Sequence, residues 1–144
     1  MVWSWVVFAL LSALFAGLVA VFGKVGLHGI DTNTATAIRA VVMALFLVVV
    51  IFVQGKLFNV KLIFENHKAL LFIILSGLAG AFSWLFYFVA LKSASVSQVV
   101  PFDRMSVVFA LFLAVIFLGE TINWKIGLGA ALIVIGGILV AFGK

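Results

Sequence analysis

The side chains able to do chemistry fall into two groups. Arg39, Asp103 and Arg104 are charges that adjoin long uncharged apolar runs, and Ser83, Trp84, Tyr87 and Ser106 are polar or amphipathic groups within or beside such runs. A guanidinium and a carboxylate in apolar surroundings suit the binding of ions and polar solutes, because a charge there must find a partner. They do not suit covalent catalysis. Ser83 and Ser106 have no base within the apolar runs, so hydrolysis is not expected. The sequence has no cysteine, which removes thiol nucleophiles and cysteine metal sites. His28 and His67 stand in the breaks between runs, with no cluster of acids at ligand spacing, and no metal site is expected. Phosphate-binding loops and nucleophile elbows are missing too, so neither a cofactor nor an enzymatic activity is expected.

These groups must be positioned by apolar elements. Of 144 residues, 67% are hydrophobic and 9% charged. A soluble domain has about 45–50% apolar and about 25% charged residues, so this chain lacks the polar side chains to cover a small core with a wettable surface. It reads as an integral membrane protein, multi-pass and placed in the cell membrane with lipid as its surroundings. The formal net charge of +5 is dispersed between apolar blocks, as membrane-flanking charges are, and no nucleic-acid partner is expected.

A bilayer-crossing helix needs about 20 mostly apolar residues. Five segments qualify, near residues 2–22, 34–53, 69–91, 96–118 and 124–142, giving an all-α fold of five transmembrane helices in a single domain over 1–144. The alternating ten-residue pattern of a membrane barrel is not seen. Span 1 lacks the positively charged start of a signal peptide and its apolar run is longer than one, so a membrane span is the better reading. Trp3, Trp5 and Trp124 mark the starts of spans 1 and 5, which five crossings put on one side, as an interfacial aromatic belt requires.

Taking the N-terminal side as X and the other as Y, side X receives Lys56, Lys61, Lys68 and Lys125, and side Y receives Lys24, Arg39, Lys92, Arg104 and Lys144. Four against five gives the positive-inside rule almost nothing to act on. Either other features set the orientation or the chain inserts both ways. An odd span count with balanced charge suits an antiparallel homodimer, which builds by assembly the inverted repeat that many transporters carry in one chain.

Residues 40–53 and 105–118 are charge-free runs of 14 residues, about 21 Å of helix against a hydrocarbon thickness of about 30 Å. Each span must recruit about six upstream residues, which draws Arg39 into span 2 and Asp103 with Arg104 into span 4, roughly 9 Å inside the Y boundary. One reading pairs Arg39 with Asp103 at a polar site open to side Y. The other has both arginines snorkelling and Asp103 capping a turn. Ser95-Val96-Ser97-Gln98 fits a capping box, and Pro101 follows in the first turns. The helix either starts near Val96 and is broken, as helices at transporter sites often are, or starts at Pro101.

At helical spacing, Thr32, Thr36, Arg39 and Met43 share one face of span 2, Ser76, Gly80, Ser83, Tyr87 and Ala90 one face of span 3, and Asp103, Ser106, Ala110 and Ala114 one face of span 4. Such stripes line cavities or serve helix packing. In span 5, Gly129, Gly136 and Gly143 recur every seven residues, a stripe that fits a dimer seam or packing within the chain.

Several strings resemble the EamA-type drug/metabolite transporter superfamily, and its five-span half-size bacterial and archaeal members in particular. Gly80-Ala81-Phe82-Ser83-Trp84-Leu85-Phe86-Tyr87-Phe88-Val89-Ala90-Leu91-Lys92 resembles its G-x-x-S-W-x-x-Y-x-x-A-L-K stretch, and Val100-Pro101-Phe102-Asp103-Arg104-Met105-Ser106 its V-x-P-x-D-[KR]-x-S stretch. Phe117-Leu118-Gly119-Glu120 resembles the F-L-G-E that closes span 4, and Trp124 through Gly137 the closing glycine-rich segment. Arg39 sits where the family tends to carry an arginine in span 2. The resemblance implies half of a ten-helix inverted-repeat transporter, a homodimer with a central site, and alternating access. The related small multidrug exporters use an acid in span 1, and this span has none, which argues against proton-coupled export of cationic drugs.

The expected function is a small secondary transporter moving a small polar metabolite. Its pathway residues would be Arg39, Ser83, Trp84, Tyr87, Asp103, Arg104 and Ser106. The rival is a non-transporting membrane subunit or lipid-handling accessory protein, in which the small-residue faces serve assembly alone.

Overall fold

The computed structural model describes residues 4–143, so Met1, Val2, Trp3 and Lys144 lie outside the described residues, together with the expected parts of Trp3 in the aromatic belt and of Lys144 among the side Y charges. Among the described residues the chain is helical and has no strand. The helices are α1 (Ser4–Gly26), α2 (Thr32–Val53), α3 (Phe58–Glu65), α4 (His67–Ser93), α5 (Val96–Asp103), α6 (Ser106–Leu113) with a π-helical continuation at Ala114–Leu118, and α7 (Trp124–Phe142). Five segments are long and apolar enough to cross a membrane: α1, α2, α4, Val96–Leu118 and α7. These are the five expected spans.

Local chemistry sets the ends. Span 2 starts at Thr32, two residues ahead of the expected start, because Asp31 caps it: its carboxylate accepts from the Thr34 N–H at 2.7 Å and from the Thr34 hydroxyl at 2.9 Å. Asn66 caps α4 in the same way, accepting from the Ala69 N–H at 3.0 Å. The 27 residues of α4 extend about 40 Å, longer than the hydrocarbon layer, so its basic ends at Lys68 and Lys92 reach the interfaces. Helix α3 was not expected. It occupies the break between spans 2 and 3 and carries an ion pair, Lys61 to Glu65 at 3.8 Å across one turn.

Span 4 starts near Val96 and is broken, the first of the two expected forms, but the break falls at Arg104 and Met105 rather than at Pro101. The helix begins at Val96, with the Gln98 side chain accepting from the Ser95 N–H at 3.2 Å, and runs through Pro101. It ends at Asp103, and Arg104 and Met105 form a turn before α6. There the Met105 N–H donates to Phe102 O at 3.0 Å and the Val108 N–H to Met105 O at 3.0 Å, the tightened pattern of a helix end. The span closes at Gly119, which ends the π-helical turn with φ of +66°, a left-handed conformation that favours glycine. That conformation gives a physical reason for the glycine of the F-L-G-E string.

The chain divides into two compact units, Met1–Val25 with Ala90–Lys144, and Gly26–Val89. In the first, Lys24 in the last turn of α1 donates to the carbonyls of Leu91 and of Ala94, the latter at 2.7 Å, and so satisfies the carbonyl end of α4. In the same unit α5 packs along α7, where Gly137 and Ala141 are buried and Phe102 meets the Phe142 ring edge-on at 5.8 Å. In the second unit the buried groups are Leu27, Thr32, Thr36 and Phe88. Long stretches of large apolar side chains stay exposed, as in a protein whose solvent is lipid.

Candidate functional site

The functional candidates of the second unit gather on α2 and α4. The stripe Thr32, Thr36, Arg39, Met43 is present as a face: Thr32 and Thr36 are buried, with the Thr36 hydroxyl donating to Thr32 O at 2.7 Å. One turn on, the half-buried Arg39 guanidinium lies over the Trp84 ring, its Cζ 3.7 Å from the ring centroid, and 4.8 Å from the centroid of Phe88. Its Nη1 donates to the Met43 sulfur at 3.4 Å. A cation over an indole face gains about 0.5–2 kcal/mol, with the larger figure for a desolvated site.

The aromatic side of this arrangement is held by its own packing. Trp84 and Phe88, one turn apart, stack with centroids 5.6 Å apart and planes at 28°. Tyr87 meets both edge-on, at 5.6 Å from Trp84 and 5.7 Å from Phe88. Three rings interlocked on one helix fix the face that receives the guanidinium. Ser83 is on the same stretch of α4 and is exposed. Sequence reasoning picked out Arg39, Ser83, Trp84 and Tyr87 but missed Phe88. Its signal was the four-residue spacing from Trp84, in a segment crowded with phenylalanine.

Arg39 is not fully satisfied. Its Nε is buried and has no hydrogen-bond partner. A buried donor without an acceptor costs about 1–3 kcal/mol, so this atom needs an explanation. Rings and a thioether solvate a guanidinium poorly, since they offer a negative face and one weak acceptor.

The remaining candidates are in the first unit, at the break in span 4. Asp103 closes α5, Arg104 lies in the turn and Ser106 opens α6, and all three are exposed. An acid, a guanidinium and a hydroxyl thus fall within four residues at the break, a polar point in a mostly apolar span.

The span 5 stripe divides between two uses. Gly137, beside the expected seam, packs within the chain: a Cβ there would lie 3.0 Å from the Pro101 carbonyl oxygen. At Gly129 and Gly136 a Cβ would meet nothing within 4 Å. At Gly143 it would meet the Leu139 carbonyl oxygen of its own helix end at 2.6 Å.

Among the described residues no group of histidines, cysteines and acids is suited to hold a metal ion. Residues 3–142 match the EamA-like transporter family. A Sinorhizobium protein described as an uncharacterized transporter in the cobO 3′ region is 42% identical over 138 residues, which cover 96% of each chain. No solved structure matches the chain. The matches bear out the resemblance carried by the strings of spans 3–5, and with five apolar spans they mark a multi-pass membrane protein of a transporter family.

Proposed function

The chain belongs to the EamA-like transporter family, and from that membership we propose that it is a small secondary transporter of the cell membrane, moving a small polar metabolite by alternating access. The observation that carries the reading is Arg39: a permanent charge inside a span, held by three side chains that do not neutralise it, with one donor buried and unpartnered. A protein that only assembled or handled lipid would have no use for so costly a group. Ser83, Trp84 and Tyr87 line the pathway beside it. Asp103, Arg104 and Ser106, at the break in span 4, supply the polar point of the first unit.

The working assembly is a homodimer, antiparallel where the balanced flanking charge allows both insertions, with each chain as one half of the ten-helix arrangement. The open Gly129 and Gly136 positions support a close helix contact there with a second copy.

Proteoliposomes containing only this chain test the proposal. Uptake of radiolabelled organic acids, amino acids and sugars is compared with empty vesicles. Saturable uptake that Arg39→Gln abolishes supports transport. Uptake no faster than in empty vesicles across the set overturns it and favours the accessory protein.

A further inference from the structure

We infer that the Arg39–Trp84–Phe88 cluster is a receptor for the carboxylate of a small organic acid with an apolar body. The inference rests on the transporter reading and narrows its substrate class.

A guanidinium has five N–H donors in one plane. Here Trp84 covers a face of that plane at 3.7 Å, and one Nη1 donor is turned to Met43. Besides the second Nη1 hydrogen, what remains is the edge formed by Nε and Nη2; Nε is buried and lacks an acceptor, so a carboxylate reaches this edge through a shift of the Arg39 side chain. That edge presents two parallel N–H groups, the fork that a planar carboxylate accepts with both oxygens.

Charge within the unit points the same way. Its acids are Asp31 and Glu65. Asp31 is held by the N-terminal turn of α2 and lies about 12 Å of helix rise from Arg39. Glu65 is outside the spans and pairs with Lys61. The unit therefore offers Arg39 rings and sulfur where an anion is missing.

The surroundings select among anions. Trp84, Phe88 and Met43 give the fork an apolar rim that suits a carboxylate on a hydrocarbon body. Tetrahedral, strongly hydrated phosphate would lose more water there than those groups replace.

Trp84 reports on the site. In purified protein in detergent, Trp3, Trp5 and Trp124 are replaced by phenylalanine, so that Trp84 emission follows the environment of the guanidinium. The probes are butyrate, its uncharged isostere butyramide, and inorganic phosphate. Butyrate is expected to give a saturable change, with butyramide and phosphate at least tenfold weaker. Arg39→Lys, which keeps the charge but loses the fork, is expected to weaken butyrate at least tenfold, and a monodisperse elution profile shows that this variant is folded. An equal response to butyrate and butyramide overturns the proposal, as does saturation by phosphate alone, or a folded Arg39→Lys protein that binds butyrate as the parent does. Butyrate binding without flux in liposomes upholds the receptor and overturns transport, whereas flux of a neutral solute without butyrate binding overturns the receptor alone.

Discussion

The carbonyl oxygen of Pro101 faces Gly137 so closely that a Cβ on the glycine would lie 3.0 Å from it. Two peculiarities of the sequence meet at this point. A proline in α5 disturbs the hydrogen bonding of its helix, and Met105 turns back to Phe102 O, three residues away. A glycine in α7 lets the other backbone approach that carbonyl. The contact fastens the first half of span 4 to span 5, while the second half of span 4 continues beyond the turn at Arg104.

Gly137→Val is therefore expected to lower thermal stability in detergent by about 1–3 kcal/mol, the usual range for overpacking. The neighbouring atom is backbone and yields little. Gly127→Val, in the same helix and outside the proposed seam, is the control, since a Cβ there meets nothing within 4 Å, and it should leave the stability unchanged. A fluorescence melt of both variants checks the pair, and equal midpoints would contradict the packing account.

Gly129→Leu and Gly136→Leu address the proposed seam. Bulky side chains are expected to prevent close approach of a second copy and convert dimer to monomer, as read by light scattering with the detergent contribution subtracted. An unchanged dimer would move the interface to another face.

Lys24 was expected only as a flanking charge, yet its ammonium satisfies the carbonyls of Leu91 and Ala94 at the end of α4. Lys24→Met keeps the apolar stem and removes the donors. The expected loss is on the order of 1–2 kcal/mol, from two charge-assisted hydrogen bonds in a half-buried setting. Thermal melts at low and high salt measure it. A variant as stable as the parent would mean that water replaces the contact without cost.

What the sequence makes legible divides along physical lines. Span placement needs only apolar run length, so all five spans were readable. The ends were less so: Asp31 starts α2 early through a cap worth about 1 kcal/mol, a signal easily lost beside the apolar pattern. Helix α3 was hidden because eight residues are too few to cross a bilayer and lysines flank it. Pro101 announced a broken span 4, but a proline disturbs bonds on both sides of itself, and the turn falls at Arg104 and Met105. At the candidate site, Arg39 was legible from the short apolar run that follows it, Tyr87 from the polar face of span 3, and Trp84 from the string that resembles the family. The stack of Arg39 on Trp84 joins residues 45 positions apart, which no local pattern encodes, and Phe88 looks like its phenylalanine neighbours until the rings are placed.

Trp84→Leu tests that stack without touching the charge. Loss of a cation–π contact of about 1 kcal/mol predicts roughly fivefold weaker binding of butyrate, followed by calorimetry because the reporter ring is gone. Trp84→Phe, which retains a ring, should fall between. A leucine variant with parental affinity would show that the ring is not needed to hold the fork.

Orientation is tested with a single introduced cysteine, since the natural sequence has none to interfere. Lys61 on α3 has an 82% exposed side chain, so Lys61→Cys is open to a membrane-impermeant maleimide wherever α3 meets water. Dual insertion predicts labelling of a fraction of the molecules in intact cells and of the rest only after lysis. All-or-none labelling would establish one orientation and point to a parallel dimer or a separate partner chain.

Asp103→Asn tests whether the acid at the break in span 4 takes part in transport. The substitution keeps the size of the side chain and its place at the end of α5, and removes only the charge. Asp103 is exposed, so the fold does not depend on burying it, and the thermal midpoint should stay within about 0.5 kcal/mol of the parent. Flux in proteoliposomes should fall at least tenfold if the acid at the break serves the pathway. A variant that folds, dimerises and transports at the parental rate would remove Asp103 from the pathway and leave Arg39 and Arg104 as the remaining charged candidates.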